Sequence, residues 1–244
     1  MKPLTLVLGL CMAVMTVYNF LAPDAEFFRE PSLARIIFWH LPSAFICSGI
    51  LFINAYFGLR YLQSRNLGWD VRLGAMTELG AMFGAVTMVS GIIFSAAQWG
   101  AWWQWDPRQA SFLMVLFLLA LALALRGGFA DEKRRASASS AYALLSLLPS
   151  VFLIFVFPRL KQVEQLSLHP SQTIAKGLLD GPYRIGVWGT FIVLSVLAAT
   201  VYKHRTKVGL LELKLEEKNG LEQTLDGGSA PTGVVRPVAL HDKN

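Results

Sequence analysis

Apolar blocks about as long as a bilayer is thick constrain this chain more than any other feature. A hydrocarbon core about 30 Å thick is crossed by a helix of about 20 residues. In that medium the backbone polar groups must be satisfied within the protein, which leaves helices and closed barrels as spanning structures. Six blocks read as helical spans: residues 4–22, 33–60, 73–97, 107–125, 138–157 and 183–202. Only 16% of the 244 residues are charged, against about a quarter in a soluble domain. The expected fold class is therefore all-α: a polytopic integral membrane protein with six transmembrane helices. The first block is longer than the apolar run of a signal peptide, and Pro23 is unfavourable for cleavage after Ala22, so this block is expected to be retained.

Local signals refine the spans. Asp106 followed by Pro107 is a helix start, with Asp as the N-cap and Pro at the first helical position. Pro42 removes the hydrogen bond to the Phe38 carbonyl and predicts a distorted backbone around His40. Pro149 predicts a kink, and Pro158 a stop. Gly80 and Gly84, with Gly91 further along, predict close helix packing. Asp180-Gly181-Pro182 reads as a turn into the last span. Glu78, little more than a turn inside the third span, is an ionisable group whose role the sequence leaves open. The chain divides after residue 202. Residues 203–244 read as a polar cytoplasmic tail, with a short amphipathic helix over 208–218 and disorder from Gly227 onward.

Charge sets the expected sidedness. With six spans both termini share one side, where eleven Lys and Arg residues fall at or near the span ends (positions 2–207), against seven on the other. The positive-inside rule then places the termini in the cytoplasm. The net charge of +6 reads as topology-setting loop charge rather than a nucleic-acid surface. The two cysteines, Cys11 and Cys47, lie inside apolar blocks and form no C-x-x-C, which excludes a dithiol oxidoreductase or a c-type cytochrome in its own right.

The outer side then carries the loop 98–111, Q-W-G-A-W-W-Q-W-D-P-R-Q-A-S, with four tryptophans in seven residues. It also carries His40, His169, Trp39 and Trp188, so that six of the seven tryptophans lie there and only Trp69 lies inside. A belt of interfacial anchors would populate both faces of the bilayer. Indole rings offer a flat apolar ligand a stacking surface. Two neutral imidazoles can bind haem iron axially, and nearby bases can pair with propionates. The plainer readings are an interface belt for the tryptophans and hydrogen-bonded structural roles for the histidines. His204 reads as part of the inner basic flank, and His241 lies in the tail.

The run W-G-A-W-W-Q-W-D-P-R resembles the W-G-x-W-W-x-W-D-x-R signature of the haem-handling (WWD) proteins of cytochrome c maturation, with seven closely spaced identities. Among them the chain is most similar to CcmC, a resemblance that covers about residues 1–202. R-I-I-F-W-H-L-P, ending at Pro42, and L-H-P, around His169, are similar to that family's two histidine segments. The resemblance implies that His40 and His169 are axial ligands to the iron of a transported haem b. It implies that Trp99, Gly100, Trp102, Trp103, Trp105, Asp106 and Arg108 form the outer haem-binding loop. It further implies delivery, without catalysis, to the periplasmic haem chaperone CcmE in a bacterial inner membrane, with CcmA, CcmB and CcmD as complex partners. The chain has no P-loop, so ATP hydrolysis would belong to a partner. It departs from the family pattern at Pro107, commonly Ala, and at Gln109-Ala110, commonly Leu-Thr. Two readings compete: a CcsA-like subunit of a cytochrome c synthase, and a small-solute permease whose tryptophans only anchor it.

Overall fold

The structure, a computed structural model, describes residues 3–169 and 179–225 and contains no strand among them. Seven helices follow in order: α1 (Pro3–Leu21), α2 (Ile37–Ser64), α3 (Leu67–Trp99), α4 (Pro107–Gly127), α5 (Glu132–Val151), α6 (Lys161–Glu164) and α7 (Gly181–Leu225). By length and composition, five helical stretches can cross a membrane: Pro31–Ser64, Leu67–Trp99, Pro107–Gly127, Glu132–Arg159 and Gly181–Asn219. The apolar run of α1, Thr5–Leu21, is shorter than these five. The all-α polytopic architecture is thus as expected, with the first expected span as its shortest apolar helix.

Hydrophobicity located the helices but not their polar ends. α3 begins at Leu67, six residues before the expected start, because Asn66 accepts the Gly68 amide at 2.8 Å as an N-cap. α5 likewise begins at Glu132 because Asp131 accepts the Arg134 amide at 2.7 Å. Charged residues fill that first turn, so an apolar window misses it. α4 starts at Pro107 as the sequence predicts, with Asp106 accepting the Arg108 amide at 2.8 Å. Asp180 caps α7 in the same way, through the Tyr183 amide at 3.1 Å.

The proline expectations divide. α2 runs helically through Pro42; the irregular backbone lies earlier, as a 3-10 segment over Pro31–Ile36. After Pro149 the helix widens into a π-turn over Phe152–Val156 and ends in a 3-10 turn at Phe157–Arg159. The helix expected over 208–218 is not separate: α7 continues unbroken past residue 202 to Leu225. The disorder expected from Gly227 onward lies outside the described residues.

α2 is the central helix, packing on α3, α5 and α7. The core joins Ile46, Cys47 and Ile50 of α2, Leu79 and Phe83 of α3, Val115 and Leu119 of α4, and Leu194 of α7. Lipid supplies no hydrophobic driving force between helices, so close packing has to hold them. Gly80 and Gly84 provide it: a Cβ at Gly80 would lie 2.9 Å from Ile50 Cγ2, and one at Gly84 2.8 Å from Leu116 Cδ2. α1 seats on α7 at Gly186 and Gly189, and Asn19 Nδ2 donates to Thr190 Oγ1 at 2.9 Å.

One end of the bundle is fastened by an ion cluster. Asp70, 1% exposed, receives Arg126 through both carboxylate oxygens, and Arg135 Nε lies 3.5 Å from Oδ2. Gly74 makes room for that guanidinium, since a Cβ there would lie 2.7 Å from Arg126 Nη2. These contacts join the start of α3, the end of α4 and the start of α5. Glu78 pairs with Arg205 of α7 at 2.8 and 3.0 Å, and both side chains are about half exposed. Trp69 lies at this end with Arg60 and Arg72 over its ring. Removing one partner of a buried pair leaves uncompensated charge. Asp70→Ala is therefore expected to cost about 3–5 kcal/mol, and Glu78→Ala at most about 1 kcal/mol; unfolding in detergent measures both.

Candidate ligand-binding site

The opposite end carries the tryptophan loop, and its backbone is built before its surface. α3 stops at Trp99 because Gly100 takes a left-handed conformation (φ 83) and donates its amide to Ala96 O. A Cβ at Gly100 would also lie 2.9 Å from Arg29 Nη1, so both backbone and space call for glycine. Ser95 Oγ donates to Ala101 O at 2.8 Å. Gln98 pairs with the Glu30 backbone through two hydrogen bonds, of 2.9 and 3.1 Å, which fixes the segment before α2 against the end of α3.

Gln109 folds back over the loop. Its Nε2 donates to Trp102 O at 3.2 Å, and its Oε1 accepts the Gln104 amide at 3.1 Å. Gln104 Nε2 in turn donates to Trp99 O at 3.2 Å. The loop's shape thus rests on amide side chains, while two of its four indoles stay at the surface and those of Trp99 and Trp103 are partly buried. Trp102 and Trp105 are 65% and 78% exposed. Trp103 meets Trp105 edge-on at 5.6 Å, and Trp99 packs on Phe94 at 5.5 Å. Trp105 has φ 56, the left-handed region that a bulky residue rarely enters; that turn leads the chain into Asp106.

Asp106 is 3% exposed and serves two segments at once. Its Oδ1 caps α4, while its Oδ2 accepts Ser167 Oγ at 2.9 Å and the Leu168 amide at 2.6 Å. The His169 amide then donates to Ser167 Oγ at 3.2 Å. The carboxylate thereby fastens the segment bearing His169 to the start of the tryptophan loop's own helix. Arg108, in the first turn of α4, has Arg159, Asp106 and Glu164 as electrostatic neighbours, and Ser111 Oγ donates to its carbonyl at 3.2 Å.

His40 reaches the same place from α2. Its Nδ1 lies 3.0 Å from Ser90 Oγ of α3. Its ring fits because residue 91 is glycine: a Cβ there would lie 3.1 Å from His40 Cε1. The sequence pattern assigned Gly91 to helix packing alone, whereas its open face admits an imidazole. The rings of His40 and His169 have centroids 6.2 Å apart and planes inclined at 40°. Burial pushes the His169 imidazole down to about 3, assisted by His40 and Arg108 and opposed by Asp106. A neutral imidazole keeps a ring nitrogen lone pair available to a metal.

The structure therefore brings together His40, His169, Asp106 and Arg108, with Trp102, Trp103 and Trp105 on the adjoining loop. Trp39 and Trp188 lie apart from the loop: Trp39 is partly buried against both apolar clusters, and Trp188, 41% exposed, meets Phe45 and Phe191. Sequence reasoning missed Ser90, Gln98, Gln104 and Ser167, ordinary polar residues whose partners lie in other segments or across the loop. His204 lies in α7, and His241 is outside the described residues. Among the described residues no group of three or more His, Cys, Asp or Glu could hold a metal ion.

Asp106→Ala is expected to cost about 1–3 kcal/mol and to speed amide exchange at Leu168 and His169, as read by hydrogen-exchange mass spectrometry. At position 105 both Ala and Gly remove the indole, but only Ala retains the left-handed strain. Trp105→Gly should therefore be about 1 kcal/mol more stable than Trp105→Ala, as measured by thermal unfolding in detergent.

The family model "CcmC: Heme exporter protein C" matches residues 1–217. "Heme exporter protein C" of Paracoccus denitrificans is 29% identical over 206 residues, covering 81% of this chain and 82% of that protein. The Escherichia coli protein of the same name is 28% identical over 189 residues, covering 76% and 74%. That of Haemophilus influenzae is 29% identical over 150 residues, covering 59% and 57%. With the family model spanning most of its length, the chain belongs to the haem exporter protein C (CcmC) family.

Proposed function

We propose that this protein holds haem at the outer face of the bacterial inner membrane and hands it to the periplasmic chaperone CcmE during c-type cytochrome assembly. The observation that carries this reading is the convergence of two imidazoles from distant parts of the chain, with centroids 6.2 Å apart. A metal–imidazole nitrogen bond is about 2 Å long. Two rings on opposite sides of one metal therefore have centroids about 6 Å apart, so the observed spacing suits one iron between them. His40 and His169 would be the axial ligands, and Trp99, Gly100, Trp102, Trp103, Trp105, Asp106 and Arg108 would form and support the platform. Haem is the cargo, here haem b, and the protein is its carrier rather than a catalyst. The eleven bases assigned to the side of the termini support cytoplasmic ends. CcmA, CcmB and CcmD are the proposed partners and would supply the ATP-driven step, for which this chain has no P-loop.

The roles of the chain's own residues follow from their placement. His40 on a packed helix is the fixed ligand. His169 is held neutral by burial and kept in place through Asp106. The exposed faces of Trp102 and Trp105 offer apolar area to a flat macrocycle, and Arg108 offers a cation to a propionate. The test is the absorption spectrum of detergent-purified protein beside His40→Ala and His169→Ala. A Soret band that weakens or shifts in each folded variant is the expected result. Loss in only one variant would reduce the site to a single ligand. A wild type without a Soret band after haem supplementation would overturn the reading.

A further inference from the structure

Ser90 of α3 stands behind His40, and its own hydrogen bonds determine what it can offer the ring. Ser90 Oγ lies 2.6 Å from Val86 O and 3.1 Å from Thr87 O, one helical turn back. Both of these carbonyls only accept. A hydroxyl carries one proton, and at 2.6 Å two oxygens without a proton between them would repel. The Ser90 proton is thus committed to the helix backbone, and towards His40 Nδ1, 3.0 Å away, Oγ presents a lone pair. Only a protonated Nδ1 can satisfy that contact. In a neutral imidazole one nitrogen donates and the other accepts. The other nitrogen, Nε2, is then bare.

We infer that Ser90 is a positioning residue that fixes His40 as the Nδ1–H tautomer and so presents Nε2 to the metal. The assignment deepens the haem-carrier reading and rests on it for its function, although the tautomer itself belongs to the ligand-free protein. Geometry limits the alternatives for the ring. Gly91 leaves only the clearance its missing Cβ provides, 3.1 Å to Cε1 and 3.6 Å to Nδ1, so that edge of the ring is held against α3. The edge bearing Nε2 is the one left to face a ligand. A hydrogen bond from the far ring nitrogen of a metal-binding histidine raises its basicity, and its loss typically costs about 10–100-fold in metal affinity.

Two measurements separate this inference from the reading it rests on. The first needs no haem: solid-state nitrogen NMR of ligand-free protein labelled at histidine, with the His40 resonances assigned by their loss in His40→Ala. A protonated Nδ1 and a bare Nε2 are expected; a bare Nδ1 would overturn the inference whatever haem does. The second compares wild type, Ser90→Ala and Ser90→Thr for haem affinity, visible spectrum and reduction potential. Ser90→Ala should bind haem about 10–100-fold more weakly, with a raised reduction potential because a less basic ligand stabilises ferric iron less. Ser90→Thr keeps the hydroxyl and should restore both. Haem bound by Ser90→Ala with wild-type affinity, spectrum and potential would overturn the role of Ser90 while leaving the carrier reading intact. If the wild type binds no haem, the functional role of Ser90 fails with the carrier reading, and the NMR result then decides the tautomer alone.

Discussion

The site depends on one buried carboxylate. Asp106 is nearly excluded from solvent, and a buried charge is tolerable only where donors surround it. Its donors come from two directions: the first turn of α4 on one oxygen, and Ser167 and Leu168 on the other. Each oxygen therefore needs a different piece of the chain. The helix that follows the tryptophan loop and the segment that ends in His169 cannot be placed independently. A residue that reads in sequence as an ordinary N-cap also joins these two parts of the site.

The rest of the bundle supplies a rigid base for that junction. In lipid, helices hold together through close packing and satisfied polar contacts. Here glycines are placed where a neighbouring side chain comes within about 3 Å of the missing Cβ: Gly80 under Ile50, Gly84 under Leu116, Gly74 under Arg126 and Gly91 beside His40. The first two close the α2–α3–α4 core. The third admits the guanidinium that neutralises Asp70 at the far end. The fourth admits an imidazole at the near end. One physical device thus serves stability at one level of the bundle and the site at another. His40 is held by a helix packed on three neighbours, whereas His169 is held by a short segment tied to Asp106.

The helical class, the approximate position of the long helices and the start of α4 were legible in the sequence, because apolar length and the Asp106–Pro107 cap are local properties. Family membership was legible too, in the spacing of Trp99, Gly100, Trp102, Trp103, Trp105, Asp106 and Arg108. The true starts of α3 and α5 were not, because Asn66 and Asp131 carry the helices into polar sequence that an apolar window passes over. Nor was the smooth course of α2 through Pro42, since the irregular 3-10 segment comes earlier, over Pro31–Ile36. The continuation of α7 beyond residue 202 was hidden as well. There Gly209 packs on Val71, and Arg205 meets Glu78, both partners from α3 and distant in sequence.

By itself the sequence determined the material of the candidate site: two histidines, a tryptophan-dense loop and an acid–base pair placed between apolar helices. It could do so because residue type, spacing and hydrophobic length are written in the chain. The tertiary structure alone decided that the two imidazoles stand 6.2 Å apart, that Ser90 and Gly91 receive one of them, and that Gln109 braces the loop. It also decided that Trp39 packs against the apolar core while Trp102 and Trp105 remain exposed. Those outcomes depend on which helix faces meet and how closely their backbones approach, and that is set by the packing of distant segments rather than by any local run of residues.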